Sequence, residues 1–210
     1  TRMLAELAGD LPNAVGLQAR LAPSVRYARD LVAGGYVGEV LATTFSVSGI
    51  SWTSPAKAGQ AYLFDPANGA TVLSIAVMHA MDALEYVLGP IAEGRVLAAM
   101  RRPTIELDNG ERITNRGPDH LAVTATLASG ALASVTARGG TSRTSGARWE
   151  IHGTEGDLVM TSPIGNFQVL DPVLEGGRGS ETTAAVLPVP STYELAPDAP
   201  TGFGSNVARL

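Results

Sequence analysis

The hydrophobic pattern of the chain changes its period at Pro90. Before that residue, apolar positions recur at helical spacing in residues 23–33 and again in residues 69–88, which predicts two helices. Pro23 suits the first turn of a helix, and Gly89-Pro90 is typical of a helix end. After Pro90 the apolar and polar positions alternate, which predicts a series of strands.

Short turns separate these alternating segments, so we expect a largely antiparallel sheet. A strand at residues 36–48 between the two helices completes an α+β domain, with a large open sheet and helices on one face. After Pro90 we predict strands at residues 91–100, 120–127, 131–137, 147–152, 157–161 and 166–170, and a candidate edge strand at residues 182–189.

The start of the chain has a different pattern of apolar positions. Residues 1–8 have the pattern of a helix end, and residues 14–18 that of a short apolar strand. A lone helix and strand cannot bury their apolar sides without partners. We therefore interpret residues 1–18 as the last unit of a larger domain, and residues 19–210 as the domain that follows.

Charge and composition exclude several classes of function. Fifteen Lys and Arg against twenty Asp and Glu give a net charge of −5, which argues against nucleic-acid binding through bulk positive charge. The absence of cysteine excludes disulfides, thiolate metal sites and cysteine nucleophiles. Apolar runs too short for a bilayer, and a start without a signal-peptide pattern, lead us to expect a cytoplasmic protein with no membrane partner. The arginine- and alanine-rich composition suggests a bacterial source.

The candidate chemistry centres on His79, in the second predicted helix. Asp82 lies three residues later on the same helix face, where a carboxylate can orient an imidazole and raise its pKa, as general acid/base catalysis requires. The alternative is a buried structural histidine. His120 and His152 read as structural, and the histidine spacing indicates no metal site.

The loop before this helix holds the other candidates. Trp52 and Tyr62 are aromatics that either pack on a sugar ring or pin the loop to the sheet. Lys57, the only lysine, reads as a solvated loop charge. No strand is followed by a G-x-G-x-x-G turn and a helix, so the residues themselves indicate no dinucleotide site.

Six segments, in order, resemble the C-terminal domain of the Gfo/Idh/MocA oxidoreductases. Within that family they are most similar to the branch of the fungal galactose-regulon repressor and its bacterial relatives. The segments are VGLQAR at 15–20, the helix from Pro23 to Gly35, GEV at 38–40, Asn68-Gly69 with the helix bearing His79 and Asp82, LASGALAS at 127–134 and WEIHGTEGDL at 149–158.

The resemblance implies a two-domain parent. A Rossmann domain, of which residues 1–18 would be the remnant, binds NAD or NADP, and the C-terminal domain presents a sugar or polyol alcohol and forms a homodimer through its open sheet. His79 and Asp82 match two of the family's catalytic positions, but Ser74 replaces the usual first Asp. A serine can hydrogen-bond a sugar hydroxyl but cannot assist a base as a carboxylate does.

The family's lysine, in a Glu-Lys-Pro segment, would lie before Thr1. On the substrate side the resemblance implies Gln18, Arg20, Trp52, Tyr62 and Ser74. Two alternatives stay open. One is a non-catalytic sensor that binds a dinucleotide and a protein partner, which the loss of the first Asp favours. The other is a dimerising sheet with no chemistry of its own.

Overall fold

The computed structural model describes residues 2–12, 16–144, 146–198 and 207–209. Its helices are α1 (Arg2–Ala8), α2 (Pro23–Ala33) and α3 (Met78–Leu88). The strands are β1 (Val40–Gly49), β2 (Ile91–Ala99), β3 (Thr104–Glu106), β4 (Arg112–Thr114), β5 (His120–Leu127), β6 (Leu132–Gly139), β7 (Ala147–Gly153), β8 (Gly156–Ser162), β9 (Val173–Arg178) and β10 (Ala185–Val186).

Eight of these strands form one open sheet in the order β10-β9-β8-β7-β1-β6-β5-β2, and β3 and β4 form a separate hairpin. In the large sheet β1 and β6 are parallel, whereas the other pairs are antiparallel. A parallel pair needs a long crossover connection. Here that connection carries α3, the edge strand β2, the β3–β4 hairpin and β5, so the helix lies against the sheet as the sequence predicts.

The main error of the sequence prediction lies at residues 166–170. These residues form an irregular segment and not a strand, because Asn166 Oδ1 accepts a hydrogen bond from the Gln168 N–H and turns the backbone locally. Phe167 and Val169 are both buried. Because they lie two residues apart in a loop, they give this segment the alternating apolar pattern of a strand. Strand β9 is absent from the predicted strands, because Gly176-Gly177 interrupts its alternating pattern.

The start of the second predicted helix also differs. A short π-helical segment, Leu73–Val77, precedes α3, and the Val77 N–H donates to the Val72 carbonyl five residues back at 3.0 Å. The predicted end is confirmed, because Gly89 follows Leu88 with a φ of 89° that favours glycine. Short π-helical insertions in α-helices are frequent at functional sites.

The core lies between the sheet and the helices. Phe45 of β1 stacks on Trp149 of β7 with ring centroids 4.9 Å apart, and Phe167 packs on Phe45 at 5.0 Å. The buried Trp149 Nε1 donates to Thr43 Oγ1 at 2.7 Å, so the largest core side chain has its polar atom satisfied.

In the described part of the chain, no helix packs on the opposite face of the sheet. Burial alternates strictly along β6, which turns Ser134, Thr136 and Arg138 outward, and β5 turns Ala122 and Thr124 the same way. The middle of this open face is thus rich in hydroxyl groups. Large exposed apolar side chains on the same face are scattered and belong to Leu97, Leu132, Val173 and Val186.

The N-terminal helix α1 turns apolar side chains outward. Met3 and Leu7, and Leu11 just after the helix, are each about two-thirds exposed or more. Part of the predicted strand at residues 14–18 lies outside the described residues, and Gln18 begins a 3₁₀ turn, Gln18–Leu21. Within the described ranges, no helix has the length and apolar character needed to cross a bilayer.

Candidate functional site

The predicted site residues are distributed along α3 and the π-helical segment before it. Ser74 lies in that segment, His79 in the first turn of α3, and Asp82 one turn later. At 1.5 Å per residue this line extends over roughly 12 Å. The fold therefore arranges the three positions in a row along one helix and not around a single point.

His79 is buried, with 8% of its surface exposed. Its Nδ1 has no hydrogen-bond partner among the described residues. Burial lowers the pKa of His79 below its ordinary value, although the negative charge of Asp82 acts in the opposite direction. The imidazole is therefore neutral near pH 7 and is able to accept a proton.

Asp82 is engaged by another residue. Arg20 Nε donates to Asp82 Oδ2 at 2.7 Å, and a second guanidinium nitrogen donates to Oδ1. Arg20 also lies over the Tyr86 ring, 5.4 Å from its centroid. A bidentate guanidinium pair holds a carboxylate more firmly than a neutral imidazole does. The structure thus brings together Arg20 and Asp82, and Asp82 acts on His79 through its charge.

Ser74 has a local structural role. Its hydroxyl accepts from the Thr71 N–H at 2.8 Å and donates to the Gly69 carbonyl at 2.6 Å, while its own N–H donates to Thr71 Oγ1 at 3.0 Å. These reciprocal bonds tie the start of the π-helical segment to the preceding turn. The Ser74 hydroxyl remains exposed, so it keeps access to solvent and to a ligand.

Trp52 and Tyr62 meet at a cavity of about 150 Å³ next to the π-helical segment. The Trp52 ring is buried and its Nε1 donates to the Leu63 carbonyl at 3.0 Å, which pins the loop as one of the two sequence readings predicts. Tyr62 is half exposed at the cavity mouth. Ile75 and Ala76, just before His79, form the adjoining wall.

The sequence analysis missed the amide side chains of this cavity, which belong to Gln60, Asn166 and Gln168. Asn166 is buried, and its Nδ2 donates to the Ala76 carbonyl in the π-helical segment at 3.2 Å. Only the tertiary fold brings it there, 90 residues along the chain. The one available signal was the polar residue itself inside an apolar segment, which the strand interpretation did not use.

The remaining candidates lie elsewhere. Gln18 is half-buried in the turn that carries Arg20, and Lys57 is exposed in its loop. His120 and His152 are on the open face of the sheet and bind Asp119 and Asp157 through Nδ1, each at 2.9 Å. Among the described residues no group of three or more His, Asp or Glu side chains is placed to hold a metal ion.

Known proteins resemble this chain in sequence and in fold. The galactose/lactose metabolism regulatory protein GAL80 of Kluyveromyces lactis is 28% identical over 189 residues, which cover 81% of this chain and 41% of the relative. The chain thus spans less than half the length of that relative.

Two solved structures share the fold. A super-repressor mutant of Gal80p from Saccharomyces cerevisiae matches with a TM-score of 0.84 and 22% identity, over 100% of this chain and 54% of the other. Levoglucosan dehydrogenase in complex with NADH and L-sorbose matches with a TM-score of 0.71 and 18% identity, over 90% and 51%.

The expected α+β fold, with its mostly antiparallel open sheet, is confirmed by these structures. The family description "Gal80p, C-terminal domain" matches residues 23–162, more than half of the chain. This range includes α2, α3 and the sheet from β1 to β8, and with them the row from Ser74 to Asp82. The chain therefore belongs to the family of Gal80p C-terminal domains, which has the Gfo/Idh/MocA C-terminal fold.

Proposed function

We propose that this chain is the substrate-binding half of an NAD(P)-dependent oxidoreductase that acts on a secondary alcohol of a sugar or polyol. The observation that carries the proposal is the buried, neutral His79, whose Nδ1 has no hydrogen-bond partner among the described residues. Buried polar atoms in folded proteins are almost always paired. In this proposal substrate binding opens access to this buried nitrogen, and the substrate hydroxyl becomes its partner, since it donates the proton that a neutral imidazole accepts.

His79 is the proton acceptor in this proposal. Burial lowers the pKa of His79 and leaves its ring unprotonated near neutral pH, while the charge of Asp82 raises the pKa and favours uptake of the proton. Asp82 stabilises the imidazolium through its charge, while Arg20 fixes that carboxylate in place. We assign Ser74, Trp52 and Tyr62 to the substrate side, which is supported by the position of the Trp52 and Tyr62 cavity next to the π-helical segment that holds Ser74.

The described residues contain no strand, glycine turn and helix that would hold a pyrophosphate, so they do not fit a complete cofactor site. We assign the cofactor phosphates to a Rossmann domain, of which residues 1–18 are the last part. The bound nicotinamide supplies the hydride acceptor. The outward apolar side chains of α1 support this division, because a helix end without its sheet exposes such a surface.

The test is turnover by the full-length protein on a panel of sugars and polyols. We expect His79→Gln to lower kcat by about 10²- to 10⁴-fold, the usual contribution of a positioned base. His152→Gln is the matched control, since His152 is exposed on the open face and binds Asp157. If His79→Gln retained normal turnover, the catalytic assignment would be wrong.

A non-catalytic sensor is the second candidate, and the Arg20–Asp82 pair favours it. With Asp82 held by arginine and no carboxylate at Ser74, His79 has no hydrogen-bonded acid to orient it. The sequence similarity to a regulatory protein, over 81% of the chain, also supports this candidate. A full-length protein that binds NAD(H) by fluorescence titration but oxidises none of the panel would establish the sensor and refute the enzyme.

We also propose a homodimer formed through the open sheet face. The exposed Leu97, Leu132, Val173 and Val186 supply its apolar contacts, and the central hydroxyl groups supply its hydrogen bonds. Light scattering after size exclusion is expected to show twice the chain mass, and a monomeric mass would contradict the proposal.

A further inference from the structure

The π-helical segment before α3 contains one residue more than an α-helical turn. The Val77 N–H donates to the Val72 carbonyl at 3.0 Å, and the Met78 N–H donates to the Leu73 carbonyl, so both bonds span five residues. Each bond of an α-helix spans only four residues. The two longer bonds therefore accommodate an extra residue between Ser74 and the regular turns of α3.

The extra residue changes the angle between Ser74 and His79. In an unbroken α-helix, residues five apart point roughly 140° away from each other, so these two side chains would lie on different faces. Where the turn closes over five residues, residues five apart are about one turn apart. The π-helical turn thus moves the His79 side chain toward the face that carries Ser74.

Asn166 contacts the middle of this turn. Its side chain is 6% exposed, and its Nδ2 donates to the Ala76 carbonyl at 3.2 Å. In an unbroken α-helix that carbonyl would accept from the Ala80 N–H. A side chain that enters the hydrogen-bond ladder of a helix is a known cause of local changes in helix geometry. The Asn166 Oδ1 accepts from the Gln168 N–H at 3.0 Å, which orients the amide with its Nδ2 toward the helix.

The loop that carries Asn166 is fixed on both sides of this residue. Before it, the Ser48 N–H at the end of β1 donates to the Gly165 carbonyl at 2.9 Å, and the two backbones are too close for a side chain at position 165. After it, Phe167 is fully buried and packs on Phe45 with ring centroids 5.0 Å apart. The Asn166 amide is therefore presented to the helix by a part of the core.

We propose that Asn166 is a positioning residue of the candidate site, whose bond to the Ala76 carbonyl maintains the π-helical turn and thereby the placement of His79 relative to Ser74. The inference rests on the proposed function, because positioning presupposes that His79 acts on a bound ligand. Without this bond the turn relaxes toward the α-helical register, and the His79 ring loses part of its burial.

The experiment compares Asn166→Ala with Asn115→Ala in the full-length protein. Asn115 is the matched control because it is also buried, its Nδ2 donates to the Arg102 carbonyl at 3.0 Å, and its Oδ1 accepts from the Gly117 N–H at 3.2 Å. The two substitutions remove the same kinds of hydrogen bond, so we expect similar losses in melting temperature. A general loss of stability is thereby separated from an effect on the site.

The first readout is the pKa of His79, measured by NMR of the protein with labelled histidine. The signal that is absent from His79→Gln identifies the residue. Burial lowers this pKa in the wild type, so we expect it to rise toward 6.5 in Asn166→Ala and to stay unchanged in Asn115→Ala.

The second readout is turnover on the panel of sugars and polyols. We expect Asn166→Ala to lower kcat by about 10- to 100-fold, with a smaller change in KM, because the base is displaced from the reacting atom. The acid limb of kcat/KM should move to higher pH together with the pKa of His79, since the base acts in its unprotonated form.

A third variant separates a change of register from entry of water. Asn166→Leu removes the same hydrogen bonds but fills most of the space that alanine leaves empty. If the helical register changes, Asn166→Leu raises the pKa of His79 as Asn166→Ala does. A rise in the alanine variant alone would indicate water in the cavity and would overturn the inference.

The inference and the proposed function can fail separately. If the wild-type protein oxidises no member of the panel, the proposed function is wrong, and the NMR titration still tests the placement of His79. An unchanged pKa of His79 in Asn166→Ala, or an equal shift in Asn115→Ala, would overturn the positioning role whether or not the protein is an enzyme.

Discussion

Two histidines of this chain, His79 and His120, are placed in opposite ways. His79 is a buried residue of α3, and its Nδ1 has no hydrogen-bond partner in the described residues. His120 is accessible on the open sheet face, and a buried carboxylate, Asp119, holds its Nδ1 at 2.9 Å. The oriented acid–histidine pair that a catalytic site is expected to contain is thus found on the face opposite the predicted one.

The difference shows what determines the hydrogen-bond partner of each carboxylate. Asp82 shares a helix face with His79 but receives two hydrogen bonds from Arg20, a permanently charged bidentate donor. Asp119 has two backbone N–H donors and a more distant Arg102, whose Nε is 3.6 Å away, so one carboxylate oxygen stays available to its histidine. Spacing along the chain brings two groups near each other, but competition decides which of them pair.

The largest effect is expected on the His120 side. Asp119→Ala should lower the free energy of unfolding by about 3 kcal/mol, because it leaves two partly buried backbone N–H groups without their acceptor. Asp157→Ala is the control, since Asp157 is an exposed carboxylate that also binds a histidine, and a change within about 0.5 kcal/mol is expected. Urea unfolding measures both, and equal losses would contradict the comparison.

On the His79 side, Arg20→Met should lower the free energy of unfolding by about 2 kcal/mol. The substitution leaves Asp82, 8% exposed, as an unpaired carboxylate, and the partial exposure of Arg20 moderates the loss. Arg148→Met is the matched control, because Arg148 is equally exposed but its partner Glu150 is 29% exposed. Unfolding in urea should show a clear loss of stability for Arg20→Met and little loss for Arg148→Met. The reverse order would be incompatible with a buried Asp82.

The pH dependence of stability provides a sharper test of His79. Its pKa in the folded chain lies below the ordinary 6.5, so the unfolded chain takes up the proton first as the pH falls. The stability associated with neutral His79 is therefore complete above pH 6.5 and is lost as the pH drops through the folded pKa. His79→Gln should weaken the dependence of the melting temperature on pH in this range. His152→Gln should retain the dependence of the wild type.

The smallest effect is expected for His120→Gln, less than about 1 kcal/mol, since His120 is partly exposed and Asp119 keeps its backbone donors. Thermal unfolding of His120→Gln and of Asp119→Ala measures the difference in stability between the two variants. A loss as large as that of Asp119→Ala would show that the imidazole, and not the backbone N–H groups, is the essential partner of the carboxylate.

Much of the fold could be predicted because local patterns agree with it. Alternation correctly placed β5, and the predicted β6 and β7 lie within two residues of the observed strands at each end. The prediction failed at residues 166–170, where two apolar side chains enter the core from an irregular segment, and at β9, whose glycines remove the pattern. In both places burial is decided by the packing of distant elements.

The candidate site, like the fold, was predicted only in part. The sequence identified His79, Asp82 and Arg20 as separate candidates, but not that Arg20 and Asp82 bind each other across 62 positions. Ser74 was expected on the substrate side, and its hydroxyl also caps the start of its own helix. Asn166 was not identified, because it belongs to no local motif and acquires its place through loop packing.

The sequence by itself determined the helices, most strands, the open sheet and the family resemblance, because periodicity and turn residues act over a few neighbours. Only the tertiary structure decided which acid pairs with which base and which histidine is buried. Those outcomes depend on side chains far apart in the chain, whose hydrogen bonds and desolvation are settled only when the sheet and helices pack together.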